Sequence, residues 1–129
     1  MNEPSPKADE LTSAVIDACI EVHKTLGPGY LESVYEDALA IELTLRSIPF
    51  ERQKTINLTY KGNPVGQNRL DFLIDEILIL ELKAVETLSP VHTAQIISYL
   101  KATNLSLGLL LNFNTPLMKQ GIKRVVYSK

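Results

Sequence analysis

The sequence predicts a mixed α/β (α+β) domain, a central sheet of four to five strands flanked by helices in the order ααβββαβ(α)β. Three observations carry this expectation. Apolar residues recur at three- and four-residue steps between Leu11 and Ser47, the spacing of helices. Two strongly apolar runs then cross residues 68–85, each short enough to be a buried strand. A helix start at Ser89–Pro90 precedes a further apolar run at Leu105–Asn112, the pattern of a crossover helix feeding a central strand.

The elements follow in order. Leu11, Val15, Ala18, Cys19, Val22 and Leu26 form one helical stripe, which Gly27-Pro28-Gly29 ends. A second helix is expected from Tyr30 to Ser47, with Leu31, Val34, Tyr35, Ala38, Leu39, Ile41 and Leu45 on a broad apolar face. After Pro49, Phe50 to Tyr60 carries Thr and Ile in partial alternation, and Lys61 to Gly66 reads as a turn cluster. Asn68 to Ile74 and Ile77 to Val85 form a second hairpin. Pro90 to Thr103 is the crossover helix, with Ser89 as its N-cap. A short turn or helix near Pro116 to Gln120 leads to an edge strand at Ile122–Tyr127. Residues 1–8 are expected to be a loose tail and 9–129 a single domain.

Composition excludes several classes. Apolar residues make up 45% and charged ones 22%, too hydrophobic for a disordered chain. The single cysteine, Cys19, rules out an internal disulfide or a cysteine cluster for zinc, and suits a reducing compartment such as the cytoplasm. The N-terminus lacks the order of a signal peptide, and no apolar run approaches the roughly 18 residues of a membrane helix. A net charge of −2 argues against coating nucleic acid through bulk positive charge. Local basic groups remain: Arg46, Arg52, Lys54, Lys61 and Arg69, and a C-terminal set at Lys119, Lys123, Arg124 and Lys129. Either could touch phosphates, or be an ordinary solvated surface.

Chemistry concentrates in the second hairpin, Arg69-Leu70-Asp71-Phe72 through Leu80-Glu81-Leu82-Lys83. Ionised groups on buried strands are paired or bind metal. Glu81 and Lys83, two apart, share a strand face. A two-residue turn at Asp75-Glu76 would oppose Asp71 to Leu80 and leave the acids on opposite faces. An odd-length turn spanning Asp75 to Ile77 opposes Asp71 to Glu81 instead, about 5 Å apart at Cβ and able to share a hard cation. The metal reading therefore requires the odd turn. The plain alternative is a hairpin whose acids make salt bridges to Arg69 and Lys83.

Two helices add candidates. His92, Gln95 and Tyr99 make a polar stripe on the crossover helix, able to lean over the carboxylates, although His92 could equally cap the helix or sit exposed. Glu32 in the first turn of the second helix could reach the site, or simply favour the helix dipole.

Several motifs occur together in order and spacing. They are Gly29-Tyr30-Leu31-Glu32-Ser33-Val34-Tyr35, Pro49-Phe50-Glu51-Arg52-Gln53, Tyr60-Lys61-Gly62, Arg69-Leu70-Asp71, Glu81-Leu82-Lys83-Ala84-Val85, His92-Thr93-Ala94-Gln95, Tyr99-Leu100-Lys101 and Leu111-Asn112-Phe113-Asn114. In these the chain resembles the GxxExxY proteins of the PD-(D/E)xK nuclease-like superfamily. The resemblance spans about residues 11–127. It implies a restriction-endonuclease-like core. It also implies metal ligation of Mg²⁺ or Mn²⁺ by Asp71, Glu81 and the main-chain carbonyl of Leu82, and catalytic roles for Lys83, Glu32 and Gln95. Tyr35, Arg69, His92 and Tyr99 become candidate substrate contacts. Leu70 stands where the superfamily's namesake has proline, and Glu76 where relatives often have glycine.

The function expected from this is metal-dependent hydrolysis of phosphodiester bonds, in DNA more than RNA. The alternative is a catalytically silent nuclease-like nucleic-acid-binding or accessory module. No membrane partner is expected, and a homodimer is compatible with either reading. A polar stripe serving only as an oligomer interface is the third option.

Overall fold

A computed structural model of the chain describes residues 5–128, and residues 1–4 of the expected tail lie outside them. Helix α1 spans Pro6–Leu26. It starts earlier than apolar periodicity indicates, so Pro6, Lys7 and Ala8 are helical rather than part of a loose tail. The start signal is polar: the Ser5 hydroxyl accepts from the Ala8 N–H at 3.1 Å, and Pro6 fills the first helical position, where no N–H is needed.

Gly27, at φ 73, stops α1 by donating its N–H to the His23 carbonyl. Helix α2 is Glu32–Leu45, shorter than expected at both ends. Tyr30 and Leu31 precede it, Leu31 being the extended N-cap. At the far end Ser47, at φ 57, closes a Schellman-type turn in which Ile48 N donates to Leu43 O. The broad apolar face of α2 splits in two. Tyr35, Leu39, Ala40 and Leu43 are buried, whereas Leu31, Val34, Ile41 and Leu45 are exposed.

Five strands follow the order β1-β2-β3-β4-β5, with β1 Phe50–Tyr60, β2 Asn63–Ile74, β3 Leu78–Lys83, β4 Leu107–Asn112 and β5 Ile122–Val126. All neighbours are antiparallel except β3 and β4, which run parallel because helix α3, Pro90–Thr103, carries the chain across the sheet between them. The turn between β1 and β2 is only Lys61-Gly62, both with positive φ (49° and 81°), so Asn63 to Gly66, expected in the turn, belong to β2. Two left-handed residues suit the twist of a tight hairpin. A 3₁₀ turn, Met118–Gly121, precedes β5.

Helices α1 and α2 cover one face over Phe72, Ile74, Leu78, Leu80, Leu82, Leu107, Leu109 and Leu111. Helix α3 covers the other through Ile96, Tyr99 and Leu100 over Leu73, Ile79 and Leu110. It lies so close at Gly108 that a Cβ there would meet the Ile96 side chain at 3.0 Å. Every residue from Leu78 to Leu82 is buried, as expected of a strand covered on both faces.

Candidate metal centre

The β2–β3 connection sets the site. Ile74 pairs with Leu78, Leu73 with Ile79 and Phe72 with Leu80, so three residues, Asp75-Glu76-Ile77, lie between the paired ends. This is the odd-length turn. It forms without glycine: Asp75 (φ 49) and Glu76 (φ 58) both adopt the left-handed conformation, and Ile77 N donates to Ile74 O at 2.9 Å. Carried one residue further, the register opposes Asp71 to Glu81.

At that pair the carboxylates bridge the two strands. The Asp71 N–H donates to Glu81 Oε2 at 2.9 Å, and the Leu82 N–H donates to Asp71 Oδ2 at 2.8 Å. Each acid thus clasps the main chain of the opposite strand. Glu81 is only 4% exposed. Among the described residues neither acid forms a salt bridge with Arg69 or Lys83, so the plain hairpin alternative is not what the structure adopts.

Charge crowding follows. Burial first, then the Asp71 charge, pushes the Glu81 carboxyl up to about 8, with the Asp71 N–H and Lys83 opposing. Asp71 is likewise raised by burial and by Glu36, against the Leu82 N–H, Lys83 and Gln53. Glu32 is raised by burial and by Asp71 and Glu36 while Lys83 lowers it, which places it within electrostatic reach of all three.

The remaining expected residues divide. Lys83 Nζ donates to Gln95 Oε1 at 3.5 Å, so α3 does lean over the β3 end. Tyr99 is buried, and its hydroxyl is raised by burial and then by the charges of Glu81 and Asp71. His92 caps its helix: its Nδ1 accepts from the Ser89 N–H at 3.1 Å. Arg69 is exposed on β2, opposite Thr55. Tyr35 is fully buried and has no surface to offer a substrate. Its ring stacks on Phe113 at 4.7 Å, and its hydroxyl donates to Gly27 O and accepts from Tyr30 N, which locks the Gly-Pro-Gly link.

Four supporting residues have no role assigned from sequence: Glu36, and Gln53, Asn112 and Phe113, which stand in motifs only. Glu36 lies one turn after Glu32 and accepts from Arg52 at 2.7 Å and from Gln53 Nε2 at 2.9 Å. Gln53 in turn reaches Asp71 Oδ1 at 3.5 Å, its backbone at φ 51 within β1. The i, i+4 spacing of Glu32 and Glu36 was the available signal. Asn112 is buried, and its side chain bonds both the N–H and the carbonyl of Val85, while Phe113 N donates to Lys83 O. Together these fix the strand end that carries Lys83.

The donors suit a hard divalent cation. Among the described residues no three His, Cys, Asp or Glu side chains converge at metal-holding spacing, so two carboxylates would need main-chain and solvent oxygens beside them. The Leu82 N–H points to the β2 side, toward Asp71, whereas the Lys83 carbonyl points to β4. A strand residue sends its N–H and C=O the same way, which directs the Leu82 carbonyl to the acids' side. Two crowded, raised carboxylates beside that carbonyl are a set that a cation would relieve.

No helix among the described residues is long and apolar enough to cross a membrane. No curated protein sequence matches the chain. A family model described as the PD-(D/E)XK nuclease superfamily matches residues 9–125. With that match over nearly the whole chain, on a mixed sheet that brings Asp71, Glu81 and Lys83 to one strand end, the chain belongs to the PD-(D/E)XK nuclease superfamily.

Proposed function

We propose that this protein is a divalent-metal-dependent nuclease that hydrolyses phosphodiester bonds, with DNA as substrate rather than RNA. Nucleases of the superfamily generally use divalent metals, and their substrates are nucleic acids. The observation that carries the reading is the mutual clasp of Asp71 and Glu81 across β2 and β3, with Lys83 two residues on. Asp71, Glu81 and the Leu82 carbonyl would hold Mg²⁺ or Mn²⁺. The bound ion supplies Lewis-acid polarisation of the phosphate and acidification of a water.

The chain's own groups do the rest. Lys83, held by Gln95, orients the attacking water and offsets charge that gathers on the phosphate oxygens. Water adds to phosphorus through oxygen, one P–O ester bond breaks, and the departing oxygen takes a proton from solvent. Glu32, its carboxyl raised by burial and then by Asp71 and Glu36 against Lys83, would accept the proton that the water gives up. Arg69 contacts the substrate's phosphates, the second ring nitrogen of His92 stands at the start of α3, and Tyr99, a buried side chain, lies within electrostatic reach of Glu81 and Asp71. Resemblance to the GxxExxY proteins and a cytoplasmic setting belong to the same proposal, the latter supported by one buried, unpaired Cys19.

Asp71→Asn or Lys83→Ala should abolish metal-dependent cleavage and leave the thermal midpoint near that of the unaltered chain. Cleavage that survives both changes overturns the reading. Calorimetric titration with Mg²⁺ or Mn²⁺ showing binding without any cutting would instead identify a silent accessory module. A homodimer is part of the proposal, supported by the exposed stripe of α2. In an antiparallel pairing of this stripe, Leu31 and Val34 of one copy come beside Leu45 and Ile41 of the second. Sedimentation of Ile41→Glu as a monomer beside a dimeric unaltered chain tests it, and an unchanged dimer rejects this interface.

A further inference from the structure

We infer that the β1–β2 hairpin beyond the sheet is a groove-reading arm for duplex DNA, with the Thr55–Arg69 and Asn57–Gln67 face seated in the major groove. It rests on the nuclease reading for its substrate, and it adds how the substrate is held and in what form. Strand β2 pairs with β3 only at Phe72, Leu73 and Ile74, whereas its pairing with β1 continues to the turn. From Lys54 to Leu70 the hairpin is therefore a two-stranded ribbon. Ile56 and Leu58 fasten one side to the α3 core. The other side is bare: Thr55, Asn57, Gln67 and Arg69 are all exposed.

Its chemistry differs from the rest of the chain. Between Glu51 and Arg69 lie four Lys or Arg and one acid, a net of +3 within a chain of −2. Arg52 is spent on Glu36 and Asp37, and Lys54 on Glu51. Arg69 and Lys61 form no ion pair among the described residues, and Lys61 stands at the ribbon tip against the Tyr60 ring. Between these two cations the bare face presents amides, with Gln67 Nε2 donating to Asn57 Oδ1 at 2.9 Å.

Amide pairs and arginine are the side chains whose forked geometry matches base edges, while cations at either end match phosphates. A two-stranded ribbon fits a B-form major groove about 12 Å wide, and the deep, narrow major groove of A-form RNA does not admit it. Gln67 is four residues from Asp71 along β2. At the rise of an extended strand the contacted bases lie roughly 13 Å, about four base pairs, from the carboxylates.

The test is fluorescence anisotropy of the full chain in EDTA with a 20-base-pair DNA duplex, the same sequence as duplex RNA, and single-stranded DNA. DNA duplex should bind at least about tenfold more tightly than RNA duplex. Lys61→Glu with Arg69→Glu should weaken DNA binding by about tenfold or more and reduce the salt slope by about two. Asn57→Ala with Gln67→Ala should leave the salt slope and flatten base preference. Equal binding of RNA duplex, or variants that bind DNA as the unaltered chain does, overturns the arm. DNA binding lost in these variants while the unaltered chain never cuts DNA supports the arm and rejects the nuclease. Cutting that persists while duplex binding ignores the ribbon does the reverse.

Discussion

Strands β3 and β4 and the β1–β2 ribbon are parts of one sheet with opposite surroundings. From Leu78 to Leu82 and from Leu107 to Asn112 every residue is buried, whereas between Glu51 and Arg69 only Ile56 is. The buried pair gives Glu81 a fixed frame, since Leu80, Leu82 and Leu110 beside it are buried and its carboxylate accepts from the Asp71 N–H. The ribbon offers a replaceable surface. Asp71 sits where one becomes the other, the last β2 residue before pairing with β3 begins. That junction leaves Glu81 held by the core and Asp71 at the boundary with the exposed ribbon.

The contrast can be broken first through stability. Leu80→Ala removes a fully buried side chain from the α1–α2 face and should cost about 2–5 kcal/mol in denaturant unfolding. A cost comparable to that of a surface change would show that the frame is not rigid. The next effect concerns charge. Glu81 rises from an ordinary 4.5 to about 8 in the folded chain, so as pH climbs the unfolded chain releases that proton first. Between those values each rise in pH favours unfolding, and below them the penalty vanishes. The thermal midpoint of the metal-free protein should fall from about pH 5 to about pH 8, with the raised Asp71 adding in the same direction. Glu81→Gln should remove most of that slope, and an unchanged slope would acquit the buried acid. The smallest effect is on the ribbon, where Thr55→Ala should alter stability by no more than about 0.5 kcal/mol. A larger loss would mean that the ribbon supports the core.

Much of this was legible because strand parity and helix periodicity are local. The crossover through α3 follows from counting residues, whereas counting leaves both turn lengths open at Asp75-Glu76 and only the pairing of Asp71 with Glu81 singles out the odd one. What escaped depended on partners distant in sequence. Ser5 and Pro6 begin α1 with polar signals that apolar counting passes over. Two stripes of α2 look alike in sequence, and only the position of Phe113 and the sheet decides that Tyr35 is core while Ile41 is surface. Tyr35 lies in a motif that suggests a substrate contact, yet its hydroxyl holds the Gly-Pro-Gly link between α1 and α2. Glu36 and Gln53 meet only because β1 departs from extended geometry at Gln53, and nothing local announces that departure.

The short connection from Ile74 to Leu78 has a consequence for how such a chain can change. Surface loops ordinarily absorb gained or lost residues with little harm. This one has an exposed Glu76 at its centre and no glycine, yet its length is a parity device. Loss or gain of one residue would turn every side chain of one strand to the opposite face, so either the core or the acid pair must be given up. Substitutions that tolerate a left-handed backbone are open to it, and single-residue insertions and deletions are not.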